Sequence, residues 1–356
     1  MSYTIDIYRG KLKPSKTLKE FALFVAFFPQ LVAGPILRAS HFLPQLREKI
    51  LDCKARHGIR LITIKSINLK IGITIMTLGF LKKMFFADNI GVMVDEIFSN
   101  PLGAESFTII LGSIAFGVQI YCDFSGYSDI AIGAAKIFGF RIPINFNKPY
   151  FATSPVDFWR KWHISLSSWL RDYLYIPLGG NKKSQNRTYF NLMIVMLLGG
   201  LWHGASWNFV IWGFLHGVYL GIEKFLIQRC PIFQKNQLIQ SKLGKIISIL
   251  LTQYLIFMTW IAFRVEDFNA LNYSLYKYVI WDFSFETTLT VVSHNLIPLL
   301  LIFTFFILHY ISYKTNIQII LSQLKTIYWT LFLIAVMISI LFFFDGNSQD
   351  FIYFRF

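Results

Sequence analysis

Thirty-five consecutive residues, Thr188 to Ile222, contain no Asp, Glu, Lys or Arg. As one α-helix, rising about 1.5 Å per residue, the run would extend roughly 50 Å. The hydrocarbon core of a bilayer is only about 30 Å thick. The segment must therefore tilt steeply, bend or break in two, and Gly199, Gly200 and Gly204 mark the natural break. The rest of the chain agrees with a membrane setting. It is 55% hydrophobic and 15% charged over 356 residues, where a soluble domain carries about a quarter charged residues.

Further uncharged runs of spanning length lie at Ile246–Phe263, Leu296–Tyr313 and Thr326–Phe344. Ser106–Cys122 is slightly short and stops at Asp123, and residues 62–81 form a weaker span interrupted by Lys65 and Lys70. Phe21–Leu37 is apolar but holds Pro29, Gly34 and Pro35, which suits a kinked or re-entrant helix. The net charge of +15 is carried by basic residues at 9–19, 38–70, 160–187 and 224–245, between the apolar runs. That distribution fits loops facing anionic lipid on the cytoplasmic side, and no nucleic-acid reader motif accompanies it. Cys53, Cys122 and Cys230 are odd in number and far apart, so neither a disulfide framework nor a zinc site follows. The opening "MSYTIDIYRGKLKPSKTLKE" lacks the apolar core of a signal peptide.

His203 stands near the middle of the long run, which suggests membrane depth. Ionisable groups in spans are rare and face a bundle interior or a wet cavity; a histidine that merely hydrogen-bonds across helices is the competing reading. The neighbours favour the first. Gly200 and Gly204, and then Gly213, Gly217 and Gly221, repeat at four-residue spacing and permit close helix approach. Ser206 and Asn208 add polar groups, and Trp202, Trp207 and Trp212 supply cavity walls. A neutral imidazole there can serve as a general base. His216 is thirteen residues on, off the face of His203 unless the helix breaks, and reads as structural.

The stretch "TSPVDFWRKWHISLSSWLRDYLYIPLGG", residues 153–180, opens with Ser154 as a cap, Pro155 and an early Asp157. A continuous helix would align Trp159, His163, Leu166 and Leu170 on one face. It is too polar to span and suits an interfacial helix with tryptophans at headgroup level. Arg160, Lys161 and Arg171 could anchor lipid or receive the phosphates of a nucleotide-containing donor. Asp123 and Asp129 either line a wet tunnel or pair with Lys136, Arg141 or Lys148, the structural role being favoured.

"YCDFSGYSDIAIG", "NFNKPYFATSPVDFWRKWHISLSSWLRDYLYIPLGGN" and "GGLWHGASWNFVIWGFLHG" together resemble the membrane-bound O-acyltransferase family. Within it they are similar to the bacterial branch that O-acetylates exopolysaccharides such as alginate, as are "FFPQLVAGPILRASHFLPQL" and the closing "FIYFRF". The resemblance implies an all-α fold: a polytopic transmembrane helical bundle with interfacial and re-entrant helices, here one domain over residues 1–356. It also implies additional spans ahead of Met1, so that the chain begins partway through the family's pattern. It matches His203 to the buried active-site histidine and His163 to the second catalytic position. It implies no permanently bound cofactor, with acetyl-CoA as the acyl donor approaching from the cytoplasm. The implied acceptor is an extracytoplasmic polysaccharide, or a serine of an extracytoplasmic acetyltransferase partner. The implied location is the bacterial inner membrane, in contact with lipid and not with nucleic acid. Three alternatives stay open: D-alanyl transfer to teichoic acid from a carrier protein, a transporter or channel using His203 and the aspartates as a proton relay, and a non-catalytic structural subunit of a polysaccharide export complex. The second calls for inverted repeats, and none is seen between the halves of the sequence.

Overall fold

A computed structural model describes residues 1–31, 34–57, 64–229, 241–344 and 350–352, the side chains of 52–57 excepted. Cys230, the middle of the basic loop at 224–245, residues 32–33, the last four residues of "FIYFRF" and the Cys53 side chain lie outside that description. Regular structure among the described residues is helical, with no strand. The chain packs as two compact units. One comprises Met1–Phe85, Phe124–Asn145 and Thr315–Asp345; the other comprises Phe86–Asp123, Phe146–Lys314 and Gly346–Phe356.

The first unit holds α1 (Ser2–Tyr8), α2 (Leu18–Val25), α3 (Ala39–His57) and α4 (Ser66–Phe80). After α2 the chain makes a 3₁₀ turn, Phe28–Gln30, carrying Pro29. Phe24, Phe27, Phe42 and Phe140 form an aromatic core, with the Phe27 and Phe42 rings 4.6 Å apart and those of Phe42 and Phe140 stacked at 5.0 Å. Against α4 lies the later part of a long helix that also serves the second unit, α6 (Ser106–Ile137). Two glycine pairs set the approach: a Cβ on Gly72 would stand 2.6 Å from the Gly133 carbonyl oxygen, and one on Gly79 2.7 Å from that of Gly126. α6 does not stop at Asp123, as the sequence suggested, because its acids find partners. Asp123 accepts from the Ile352 backbone N–H at 2.7 Å. Asp129 pairs with Lys82 at 2.6 Å and not with Lys136, Arg141 or Lys148.

The second unit is built from α5 (Asp88–Phe98), the first part of α6, α7 (Pro155–Trp159), α8 (Ile164–Leu170), α9 (Gln185–His203), α10 (Trp207–Arg229), α11 (Lys242–Arg264), α12 (Phe268–Val279), α13 (Glu286–His294) and α14 (Leu296–Lys314). Among the described residues α6, α10, α11 and α14 are long and apolar enough to cross a membrane. A further apolar helix in the first unit, α16 (Thr326–Phe342), follows α15 (Ile317–Gln323) and is shorter. The uncharged run of residues 188–222 breaks at Gly204–Ser206 into α9 and α10. These run antiparallel at very short range: a Cβ on Gly200 would collide with the Phe209 carbonyl, and one on Gly213 with that of Met196. α10 is antiparallel in turn to α11, since His216 faces Thr259, Trp212 faces Trp260 and Phe209 faces Phe263. Outside the spans, Glu105 clasps the start of α13. Its carboxylate accepts from Ser284 Oγ at 2.6 Å, the Glu286 N–H at 2.8 Å and the Thr288 N–H at 3.2 Å. Burial pushes the Glu105 carboxyl up, but these hydrogen bonds prevail and hold it at about 2.

Candidate active site

His203 is the last residue of α9, so the helix ends where the sequence placed the middle of a span. The hairpin turn that follows puts its imidazole, half-buried, at one end of the α9–α10 pair. Aromatic rings surround it: Trp202 at 5.1 Å between centroids, Trp212 at 5.2 Å, Phe263 at 5.0 Å and Phe209 at 6.2 Å. Of the three tryptophans expected as cavity walls, Trp202 and Trp212 pack on the His203 ring, Trp202 being itself 55% exposed, while Trp207 is 75% exposed at the start of α10. The polar neighbours are structural. Ser206 Oγ accepts from the Asn208 N–H at 3.3 Å, and Asn208 Nδ2 donates to the Val265 and Glu266 carbonyls, tying α10 to the end of α11. Phe263 had no local sequence signal beyond closing an apolar run; only the fold brings it to the histidine.

His163 joins the same place by a break in the helix expected across it. Ser154 caps α7 as the sequence indicated, accepting from the Asp157 N–H at 3.2 Å, but α7 ends at Trp159. His163 takes a left-handed backbone, φ 42°, and α8 begins at Ile164. The side chain is buried, and its ring lies 6.2 Å from that of Trp202. The Trp202 indole is thus in contact with both candidate histidines. The break also turns Phe158, Trp159 and Trp162 inward: all three are buried, so they are not an interfacial belt. Trp162 stacks on Phe158 at 5.5 Å and meets Trp260 at 4.9 Å.

His216 is close to this group but occupied. Trp159 Nε1 donates to its Nδ1 at 3.2 Å, and Thr259 Oγ1 lies 3.2 Å from its Nε2. Its ring is 4.6 Å from that of Trp212.

A cavity of about 1040 Å³ opens between α7, α8, α9 and α10. Its apolar wall includes Ile164, Leu170, Leu192, Val195 and Met196; its polar rim includes Arg160, Arg171 and Lys224. Lys161 does not line it and pairs with Asp157 at 2.8 Å. Arg171 is held by Asp172 at 2.7 Å. Leu192, Val195 and Met196 climb α9 toward His203, so the cavity and the histidine share one helix. Among the described residues no cluster of His, Cys, Asp and Glu has the grouping of a metal site.

A profile described as "MBOAT, membrane-bound O-acyltransferase family" matches residues 12–265. The chain is 42% identical over 275 residues to the probable alginate O-acetylase AlgI of Azotobacter vinelandii, covering 76% of this chain and 50% of that protein. It is 39% identical over 251 residues to the peptidoglycan O-acetyltransferase of Helicobacter pylori, 70% of this chain and 45% of that one. It is 31% identical over 227 residues to the teichoic acid D-alanyltransferase of Bacillus subtilis, 61% of this chain and 54% of that one. The chain spans about half the length of the curated relatives it matches.

Proposed function

The chain belongs to the membrane-bound O-acyltransferase family, and we propose that it moves an acyl group, acetyl in the first place, from a thioester donor to a hydroxyl of an extracytoplasmic glycan. The observation that carries this reading is the contact of both His203 and His163 with the Trp202 indole. His203 takes the proton of the acceptor hydroxyl as its oxygen attacks the thioester carbonyl; the C–O bond forms and the C–S bond breaks. His163, held buried by its left-handed turn, orients the donor or steadies charge on the carbonyl oxygen. Acetyl-CoA is the proposed donor, arriving from the cytoplasm at an inner membrane, with Arg160 and Arg171 on the cavity rim meeting its phosphates. Lys161 acts there only by steadying α7 through Asp157.

Identity favours acetyl over D-alanyl transfer: the relatives named O-acetylases share 39% to 46% with this chain, those named D-alanyltransferases 29% and 31%. The same names support a glycan acceptor, alginate and peptidoglycan both being glycans. An extracytoplasmic acetyltransferase that relays the acetyl group remains part of the proposal.

Purified membranes containing the chain should pass label from acetyl-CoA to glycan or to a partner protein. His203→Ala should lower that transfer by about 10²–10⁴-fold, the usual worth of a positioned base, with the chain still inserted and folded. Transfer that survives His203→Ala would overturn the assignment.

A further inference from the structure

Most glycines of the α9–α10 hairpin are explained by crowding. Gly200 and Gly213 have backbone of the facing helix where a side chain would go. Gly199 is different. It is buried, yet a Cβ built on it would meet one atom within 4 Å among the described residues, Leu170 Cδ1 at 3.4 Å, an ordinary contact. A glycine inside a helix weakens that helix, and packing gives no reason for this one. Burial without neighbours means enclosed free space beside the Cα.

Its position says what the space connects. Val195 and Met196, four and three residues earlier on α9, line the cavity, and His203 is four residues later on the same face. Leu170 lines the cavity from the last turn of α8, and His163 is the left-handed residue from which that helix starts. The two helices thus flank one line from the cavity, past Gly199 and Leu170, to the two histidines.

We propose that the acyl chain of the donor passes between α8 and α9 over Gly199, and that the missing side chain there, opposite Leu170, sets the largest acyl group the site accepts. This inference rests on the acyl-transfer reading and assigns its specificity. It gives Gly199 and Leu170 a role as size determinants, not as catalytic groups.

The test uses the full chain in detergent and two non-transferable oxoalkyl thioethers of phosphopantetheine, one matching an acetyl group and one an octanoyl group. Gly199→Val should weaken the octanoyl analogue by about tenfold or more relative to the acetyl analogue, as expected for steric loss in an apolar pocket. Gly199→Ala, which a helix favours, should move the ratio the same way by less and guards against misfolding of the valine variant. Leu170→Ala should move it the other way. A ratio unchanged in all three variants, or no binding of either analogue to the wild-type chain, would overturn the inference. Label transfer is measured alongside: binding ratios that shift as stated while no acyl group is ever transferred would count against the transferase reading alone.

Discussion

An indole N–H only donates, so Nδ1 of His216 must present its lone pair to Trp159. The ring proton therefore sits on Nε2 and points at Thr259 Oγ1, whose own hydroxyl donates to the Ile256 carbonyl at 2.7 Å. One tautomer satisfies every group, and the result is a rigid plug under Trp212 and, through it, under His203. Trp159→Phe leaves Nδ1 buried without its donor and should lower stability by about 1–3 kcal/mol. His216→Phe should do likewise. In the double variant both polar groups are gone, so the loss should fall short of the sum by about 1 kcal/mol; thermal unfolding of the four proteins in detergent reads this directly, and additive losses would contradict the shared bond. The sequence marked His216 as structural but not its partners, which come from segments 57 and 43 residues away. His163 was legible as a candidate and illegible as a break. "RKWHIS" contains no glycine or proline, and a left-handed non-glycine residue costs about 1–2 kcal/mol locally. The turn persists because burial of the ring and two hydrogen bonds to its carbonyl, from the Ser167 N–H at 2.9 Å and Ser167 Oγ at 3.1 Å, hold it from outside the local sequence preference.

The α9–α10 and α4–α6 pairs close to backbone contact at glycines, and the four-residue repeats of the long run disclose that for α9 and α10. They did not grade the positions. Gly213→Ala would press a methyl group into the Met196 carbonyl, and the helices would have to part; a loss of about 1–3 kcal/mol is expected. Among the described residues Gly221→Ala meets nothing nearer than a Tyr189 ring carbon at 3.9 Å, and better helix propensity should raise stability by about 0.5–1 kcal/mol. Opposite signs of the melting-temperature shift check the grading, and a matching loss at both positions would mean that close approach does not discriminate between them. Gly204 was grouped with Gly200, yet it ends α9 and lies against the Phe209 ring. The crossing of α4 with α6 is not legible in the sequence, because its glycines, Gly72 with Gly79 and Gly126 with Gly133, repeat at seven and not four. Seven residues is two turns, the same face again, but each pair is meaningful only beside the other, and even Gly79 and Gly126 are 47 positions apart in the chain.

At the scale of the whole unit that carries the site, charge separates along the helices. α9 begins after Lys182, Lys183 and at Arg187; α10 ends at Lys224 and Arg229; α11 begins at Lys242 and Lys245; α14 ends at Lys314. With α10 antiparallel to both α9 and α11, these basic residues gather at one end. The other end holds the His203 turn, Glu266 and Asp267, with Arg264 bound to Asp95 at 2.7 Å and Asn295, at the start of α14, bound to Glu96 at 2.7 Å. Basic residues flanking spans stay on the cytoplasmic side, so the rim of the cavity at Arg160, Arg171 and Lys224 should face the cytoplasm and the His203 turn the opposite surface. The proposed donor and acceptor would then approach the histidines from opposite ends. In a chain with Cys53, Cys122 and Cys230 replaced by serine, Ser206→Cys should react with a membrane-impermeant maleimide in intact spheroplasts, while Lys245→Cys, exposed at the start of α11, should react only after the membrane is opened. The reverse pattern would place His203 on the side of the proposed donor, and the proposed transfer would then need a route for the acceptor through the basic end, where the structure offers the acids Asp157, Asp172 and Glu223 already engaged by Lys161, Arg171 and the Val156 N–H.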